Sequence, residues 1–225
     1  MSTVEEQRAF KWMKASTRNH QMTIIRDDGL YRHIRFKEPG TGIWWFDLVT
    51  WPGHLVVTGD IEDFHFARID DMFQFFRKPP GYINASYWSE KLRGPVDPKV
   101  YQPEIAKRMV FEEFWERRGE HPGQAAAIWR ALRYQVLDDE TLCSEESVHR
   151  ALSGFRYRLS IPVEPESDFV PQLIPRRHSV LYQFSDTWEW DLRDYDWHFL
   201  VSLHAIVWGI SQYDKAKSLT VEVSA

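Results

Sequence analysis

Between residues 22 and 68 the sequence changes to a period near two, in five short apolar-rich runs broken by turn-forming residues. A period of two builds strands with one buried and one open face, and excludes helix. Residues 22–26 read as the first strand, Asp27-Asp28-Gly29 as a hairpin turn, and residues 30–36 as its partner. In that partner Ile34 and Phe36 share one face, while Tyr31, His33 and Arg35 share the other. A loop containing Pro39-Gly40 leads to an aromatic strand over 43–50. Pro52-Gly53 suits the centre of a type II turn, and strands over 55–58 and 64–68 follow. Links this short pair consecutive strands antiparallel, so the five form a meander.

Beyond the meander the period becomes helical. Residues 5–16, ahead of it, predict a short helix. Ile69, Met72, Phe73 and Phe76 fall at i, i+3, i+4 and i+7, one apolar stripe that Lys78-Pro79-Pro80-Gly81 ends. Residues 85–92 predict another short helix. Pro103 opens a helix carrying Ile105, Met109, Phe111, Phe114 and Trp115. A second, cleaner stripe runs through Ala125, Ile128, Trp129, Leu132 and Val136, and Ser144 caps a third helix. Pro162, Pro165, Pro171 and Pro175 break residues 155–185 into extended connections, with a strand over 179–184. Residues 194–217 then read as one long helix, apolar on nearly every side and therefore central. The fold class is α+β. Gly94-Pro95-Val96-Asp97-Pro98 divides a sheet-plus-helix region, 1–94, from a mostly helical region, 95–225, with one overall domain as the alternative.

Eleven tryptophans stand in 225 residues, and most fall in two clusters, Trp44-Trp45 to Trp51 and Trp188 to Trp208. Indoles combine a large apolar area with one donor, so these clusters mark an internal junction or a docking surface. The net charge of −5 argues against binding through nucleic-acid phosphates. Cys143 stands alone, which excludes an internal disulfide and a thiolate zinc site and makes it a small buried or half-buried filler. The N-terminus lacks a basic-then-apolar secretory pattern, and the apolar stretch 197–210 is too short to span a bilayer. A cytoplasmic protein that does not enter a membrane is the expectation.

The strong catalytic motifs are absent: no P-loop, no dinucleotide glycine fingerprint, no HExxH and no nucleophile elbow. Neither a cofactor nor a metal is expected, and three weaker constellations remain. Asp191, Asp194, His198 and Ser202 fall at helical spacings on the last helix, where an acid can hold an imidazole in one tautomer. Acids favoured by a helix N-terminus are the simpler account. His54, Asp60, Asp63 and His65 lie in or beside turns and carry metal-ligating groups, although their spacing fits no common site. Tyr31, His33, Arg35, Trp45 and Asp47 share the second face of the sheet and have the composition of a binding hot spot. Cover by the C-terminal half is the favoured fate of that face, because exposed aromatic patches of this size are uncommon.

Four stretches carry a resemblance: Asp27-Asp28-Gly29-Leu30-Tyr31-Arg32-His33, Trp45-Phe46-Asp47-Leu48-Val49-Thr50-Trp51-Pro52-Gly53-His54-Leu55, Trp188-Glu189-Trp190-Asp191-Leu192-Arg193-Asp194-Tyr195, and His204-Ala205-Ile206-Val207-Trp208-Gly209-Ile210. Together they resemble a family of uncharacterised proteins encoded by bacteriophages and prophages. The resemblance carries no catalytic residue across; it implies a setting, the cytoplasm of an infected or lysogenic bacterium. The function expected on these grounds is an accessory protein that binds and inhibits a bacterial host protein, such as an anti-CRISPR-like anti-defence inhibitor. A homodimer is compatible with it. The alternatives are a metal-dependent hydrolase or nuclease, using Asp191, Asp194 and His198 or His54, Asp60 and His65, and a nucleic-acid-binding module.

Overall fold

The alternating segment forms five antiparallel strands in the computed structural model, which describes residues 3–162 and 177–223. Strands β1 (Gln21–Asp28), β2 (Tyr31–Lys37), β3 (Phe46–Trp51), β4 (His54–Gly59) and β5 (Phe64–Ala67) pair in sequence order. Pro52-Gly53 joins β3 to β4, and Gly53 takes the positive φ, 82°, that a type II turn demands of its third residue. Cross-strand partners Ile34 and Leu48, Leu48 and Val57, and Leu55 and Phe66 place one face of the sheet in the core. Phe36 and Phe46 also face each other, with stacked rings 4.9 Å apart.

Helix α1 (Val4–Ser16) precedes the sheet, opened by a Thr3–Glu6 capping box. After the sheet come α2 (Met72–Phe76), α3 (Ala85–Ser89), β6 (Lys99–Tyr101), α4 (Pro103–Arg117), α5 (Ala125–Gln135), α6 (Glu145–Gly154), β7 (Tyr157–Pro162), β8 (Arg177–Tyr182), β9 (Arg193–Tyr195) and α7 (Trp197–Val223). The architecture is α+β, a five-stranded meander with a helical C-terminal half that ends in a long helix. No described helix is long and apolar enough to cross a membrane.

Two compact units emerge, Met1–Val100 with Tyr195–Ala225, and Tyr101–Asp194. The sequence suggests a single boundary near residue 94; the contacts give two, and the second returns α7 to the sheet's unit. In that first unit α7 lies on the Ile34/Leu48 face. A β-carbon on Gly209 would stand 2.9 Å from Leu48 Cδ1 and from Phe36 Cε2, so only glycine permits this approach. Residues 199–207 are buried without interruption, as a central helix requires. At the far end of α7, Asp27 accepts hydrogen bonds from Tyr213 (2.9 Å) and Lys217 (2.7 Å), and Arg77 pairs with Asp214 (2.7 Å).

The second unit has its own core. The α5 stripe buries Ile128 and Leu132 against Val110 and Phe114 of α4, Val148 and Leu152 of α6, and Tyr182 of β8. Ser144 caps α6 by accepting from the Ser147 amide at 3.2 Å. Strands β7 and β8 pair antiparallel; the proline-rich stretch 163–176 between them, with Pro165, Pro171 and Pro175, lies outside the described residues.

Several edges differ from the sequence reading. The third strand begins at Phe46 rather than residue 43, because Trp44 adopts a left-handed conformation (φ 59°) that no strand accommodates. The helix expected from Ile69 begins at Met72, since Asp71 caps it by accepting from the Phe73 amide at 3.0 Å. The last helix begins at Trp197, not Asp194: Asp196 Oδ1 accepts from the His198 (2.7 Å) and Phe199 (3.3 Å) amides and so acts as its cap. Cys143 is exposed rather than a core filler, because its neighbour Leu142 takes the buried position in the turn Thr141–Cys143.

Candidate functional site

With α7 on one face of the meander, the other face carries the residues that cannot be apolar core. Pairing sets its rows: Arg35 faces Asp47, which faces Thr58, while His33, Val49, Val56 and His65 form the next row. Asp47 is the centre of the first row. Its carboxylate is buried, yet it accepts from Arg35 Nε (2.8 Å), Arg35 Nη2 (2.8 Å) and His33 Nε2 (2.6 Å). Burial opposes ionisation of Asp47, but the donors Arg35 and His33 outweigh it and hold the carboxyl below the usual carboxylate range.

The guanidinium of Arg35 is thereby fixed by a bidentate pair and also lies over the Trp45 ring, 5.0 Å from its centroid. Arg35 and His33 remain partly open to solvent, with side chains 42% and 33% exposed. Tyr31 is exposed at the end of the same face and carries Arg26 over its ring at 5.2 Å. The five residues singled out in the sequence thus lie on or beside one sheet face, and four of them, His33, Arg35, Trp45 and Asp47, form one interlocked group. The cover expected from the C-terminal half does not reach Tyr31, which is 46% exposed, because α7 packs on the opposite, Leu48/Phe36 face.

Farther along, Trp51 stacks on His54 with centroids 5.0 Å apart, and His54 Nδ1 lies 2.9 Å from His65 Nε2. One imidazole must donate and the other accept, so the contact holds a single proton. Burial, then the neighbouring His54 and Arg93, lower the pKa of His65. Asp60 does not join them. It follows the opposite end of β4, roughly 20 Å of strand away, where its Oδ2 accepts from the Trp44 amide at 2.7 Å. Asp63 accepts from Gly59 N at 3.4 Å.

The helical stripe of Asp191, Asp194, His198 and Ser202 does not form. Asp191 and Asp194 precede α7 and belong to the second unit, while His198 and the buried Ser202 belong to the first. His198 instead meets Glu62 and Asp196, neither of which its helical spacing selects. The signal for Asp196 was local: an acid immediately before an apolar run is a cap candidate.

Chemically the outer face is a set of mutually fixed polar and aromatic groups. The Asp47 carboxylate is occupied by three donors and is not free to act as a base. What faces outward is an oriented guanidinium, an indole, a phenol and imidazole edges, groups that read hydrogen bonds and aromatic contacts. Compared with known proteins, the chain matches no family model, no curated protein and no solved structure.

Proposed function

We propose that this chain is a phage-encoded accessory protein that binds a bacterial host protein and inhibits it, in the manner of an anti-CRISPR or other anti-defence inhibitor, with the outer face of the meander as its docking surface. One observation carries the reading: the face opposite α7 presents Arg35 locked between Asp47 and Trp45, with Tyr31 exposed beside it. Tyrosine, tryptophan and arginine are the residues that dominate interface energies, and side chains already fixed lose little entropy on docking. Inhibition by occlusion requires no chemistry from the inhibitor. The phage setting rests on the sequence resemblance. The hydrolase reading draws less support, because Asp60 stands apart from the His54–His65 pair and Asp191 and Asp194 precede α7 rather than sharing a helical stripe with His198.

The test pairs capture with protection. The tagged chain captures one host protein and lowers its activity on titration; Tyr31→Ala, Trp45→Ala and Arg35→Ala each weaken that complex at least tenfold, about 1.4 kcal/mol, more than most interface residues cost on truncation. Phage deleted for the gene plate poorly on a host whose defence contains that protein, and plate normally when the gene is supplied. Unchanged capture in all three variants, with equal plating, would refute the proposal.

A further inference from the structure

At the N-terminal end of α7, two side chains of the helix start meet one from a distant loop of the first unit. Glu62 comes from the loop between β4 and β5, Asp196 is the cap of α7, and His198 stands in its first turn. His198 Nδ1 lies 3.4 Å from Glu62 Oε1 and 3.9 Å from Asp196 Oδ1, and one ligand atom from each residue lies within 4.8 Å of the others. We propose that Glu62, Asp196 and His198 form a binding site for one divalent cation of the zinc–manganese class, a role independent of the docking surface on the sheet.

The separations carry the argument. A charge-assisted hydrogen bond draws nitrogen and oxygen to about 2.7–2.9 Å, whereas His198 Nδ1 stands off both carboxylates by more than that. Around a cation with bonds of about 2.0–2.2 Å, neighbouring ligand atoms lie roughly 3–3.5 Å apart. The nitrogen therefore stands 3.4 Å from one carboxylate oxygen and 3.9 Å from another, at or a little beyond coordination spacing. Asp196 is already oriented, since the His198 and Phe199 amides hold its Oδ1. The Glu62 loop is anchored on both sides, by Asp60 on the Trp44 amide and Asp63 on the Gly59 amide. The positive end of the helix dipole opposes a cation, but two formal carboxylate charges exceed that half charge.

The donor set chooses the ion. One imidazole and two carboxylates suit zinc or manganese, whereas calcium and magnesium prefer oxygen alone. Three protein ligands leave a coordination position for water or for a partner's side chain. Two of the ligands are about half exposed, Glu62 at 51% and His198 at 45%, so the site binds weakly compared with a closed structural zinc centre.

The full chain, stripped with a chelator, is titrated with zinc chloride and manganese chloride by calorimetry. Cobalt is followed by its visible absorption and by quenching of Trp197, which lies between two of the ligands in sequence. One equivalent binds, and Glu62→Gln, His198→Gln and Asp196→Asn each weaken it at least tenfold. The asparagine keeps an oxygen for capping, and Glu62 lies in an exposed loop, so circular dichroism of these variants matches the parent. His54→Ala leaves binding unchanged. Absence of binding at millimolar zinc and manganese would overturn the proposal. So would binding that survives Glu62→Gln and His198→Gln, or that His54→Ala abolishes.

Discussion

At the scale of single residues, His204 is the most exposed to a change of conditions although it is buried. Its Nε2 donates to the Glu6 carbonyl at 3.0 Å, its Nδ1 is buried without a partner, and the ring lies on Phe10. Burial pushes its pKa down to about 4 despite the favourable Glu6 carbonyl, so the folded chain keeps the imidazole neutral. In the unfolded chain the same ring titrates near 6.5. The unfolded state therefore takes up the proton first as pH falls. The stability that depends on a neutral His204 is complete above about pH 6.5, declines between 6.5 and 4, and is fully lost below 4. The predicted loss over that window is roughly 3 kcal/mol. The lowered carboxyls of Asp27, Asp47 and Asp71 lose their contribution only at lower pH, as it falls through their folded values. Urea unfolding at pH 7 and pH 4 checks this. His204→Gln keeps a donor for Glu6 but has no proton to gain, so its stability changes less across the window; equal slopes for parent and variant would remove His204 as the cause.

Among elements, the helix-to-sheet contact is the tightest joint in the first unit. Alanine is favoured over glycine inside helices by about 1 kcal/mol, yet at residue 209 a β-carbon meets Leu48 and Phe36, both fully buried, at 2.9 Å. Packing outweighs propensity here. Gly209→Val is predicted to lower stability by about 2–3 kcal/mol, within the range for overpacked cores, and Gly209→Ala by less; a stabilised valine variant would show that α7 does not lie this close to the sheet. The strands themselves were legible because a period of two survives any neighbour, and the burial of α7 because its apolar positions leave no polar side. Edges were less legible. Trp44 ends a strand pattern by its φ angle, which follows from hydrogen bonds at Asp60 and His20 far along the chain. Asp196 instead of Asp194 caps α7, a choice among adjacent acids that spacing alone does not make. The polar lattice of Arg35, Asp47 and His33 could be placed on one face from alternation, but its bonding required the β2–β3 register. Glu62 was invisible as a partner of His198, since 136 residues separate them.

For the whole molecule, connectivity puts the heaviest demand on α7. The first unit is discontinuous: its sheet is complete by residue 67, while the helix that covers the sheet's apolar face begins at Trp197. Ile34, Phe36, Leu48 and Leu55 have that helix as their core neighbour in the same cluster as Phe199, Leu203 and Ile206. Contacts this distant in sequence cost loop-closure entropy, so the sheet's core is predicted to complete only when the C-terminal helix docks. A chain ending at Asp194 is therefore predicted to keep helical signal from the second unit, whose own core of Val110, Ile128, Leu132, Val148 and Leu152 is continuous in sequence. The same truncated chain loses the near-ultraviolet signature of the ring pairs around Trp208 and Phe36, binds a hydrophobic dye and aggregates through the uncovered sheet. Supplying residues 195–225 as a separate peptide restores the near-ultraviolet signal if the covering helix is what was missing. A truncated chain with a parent-like near-ultraviolet spectrum and slow amide exchange across β2, β3 and β4 would mean that the meander holds its core without α7, and the central place of that helix would fall.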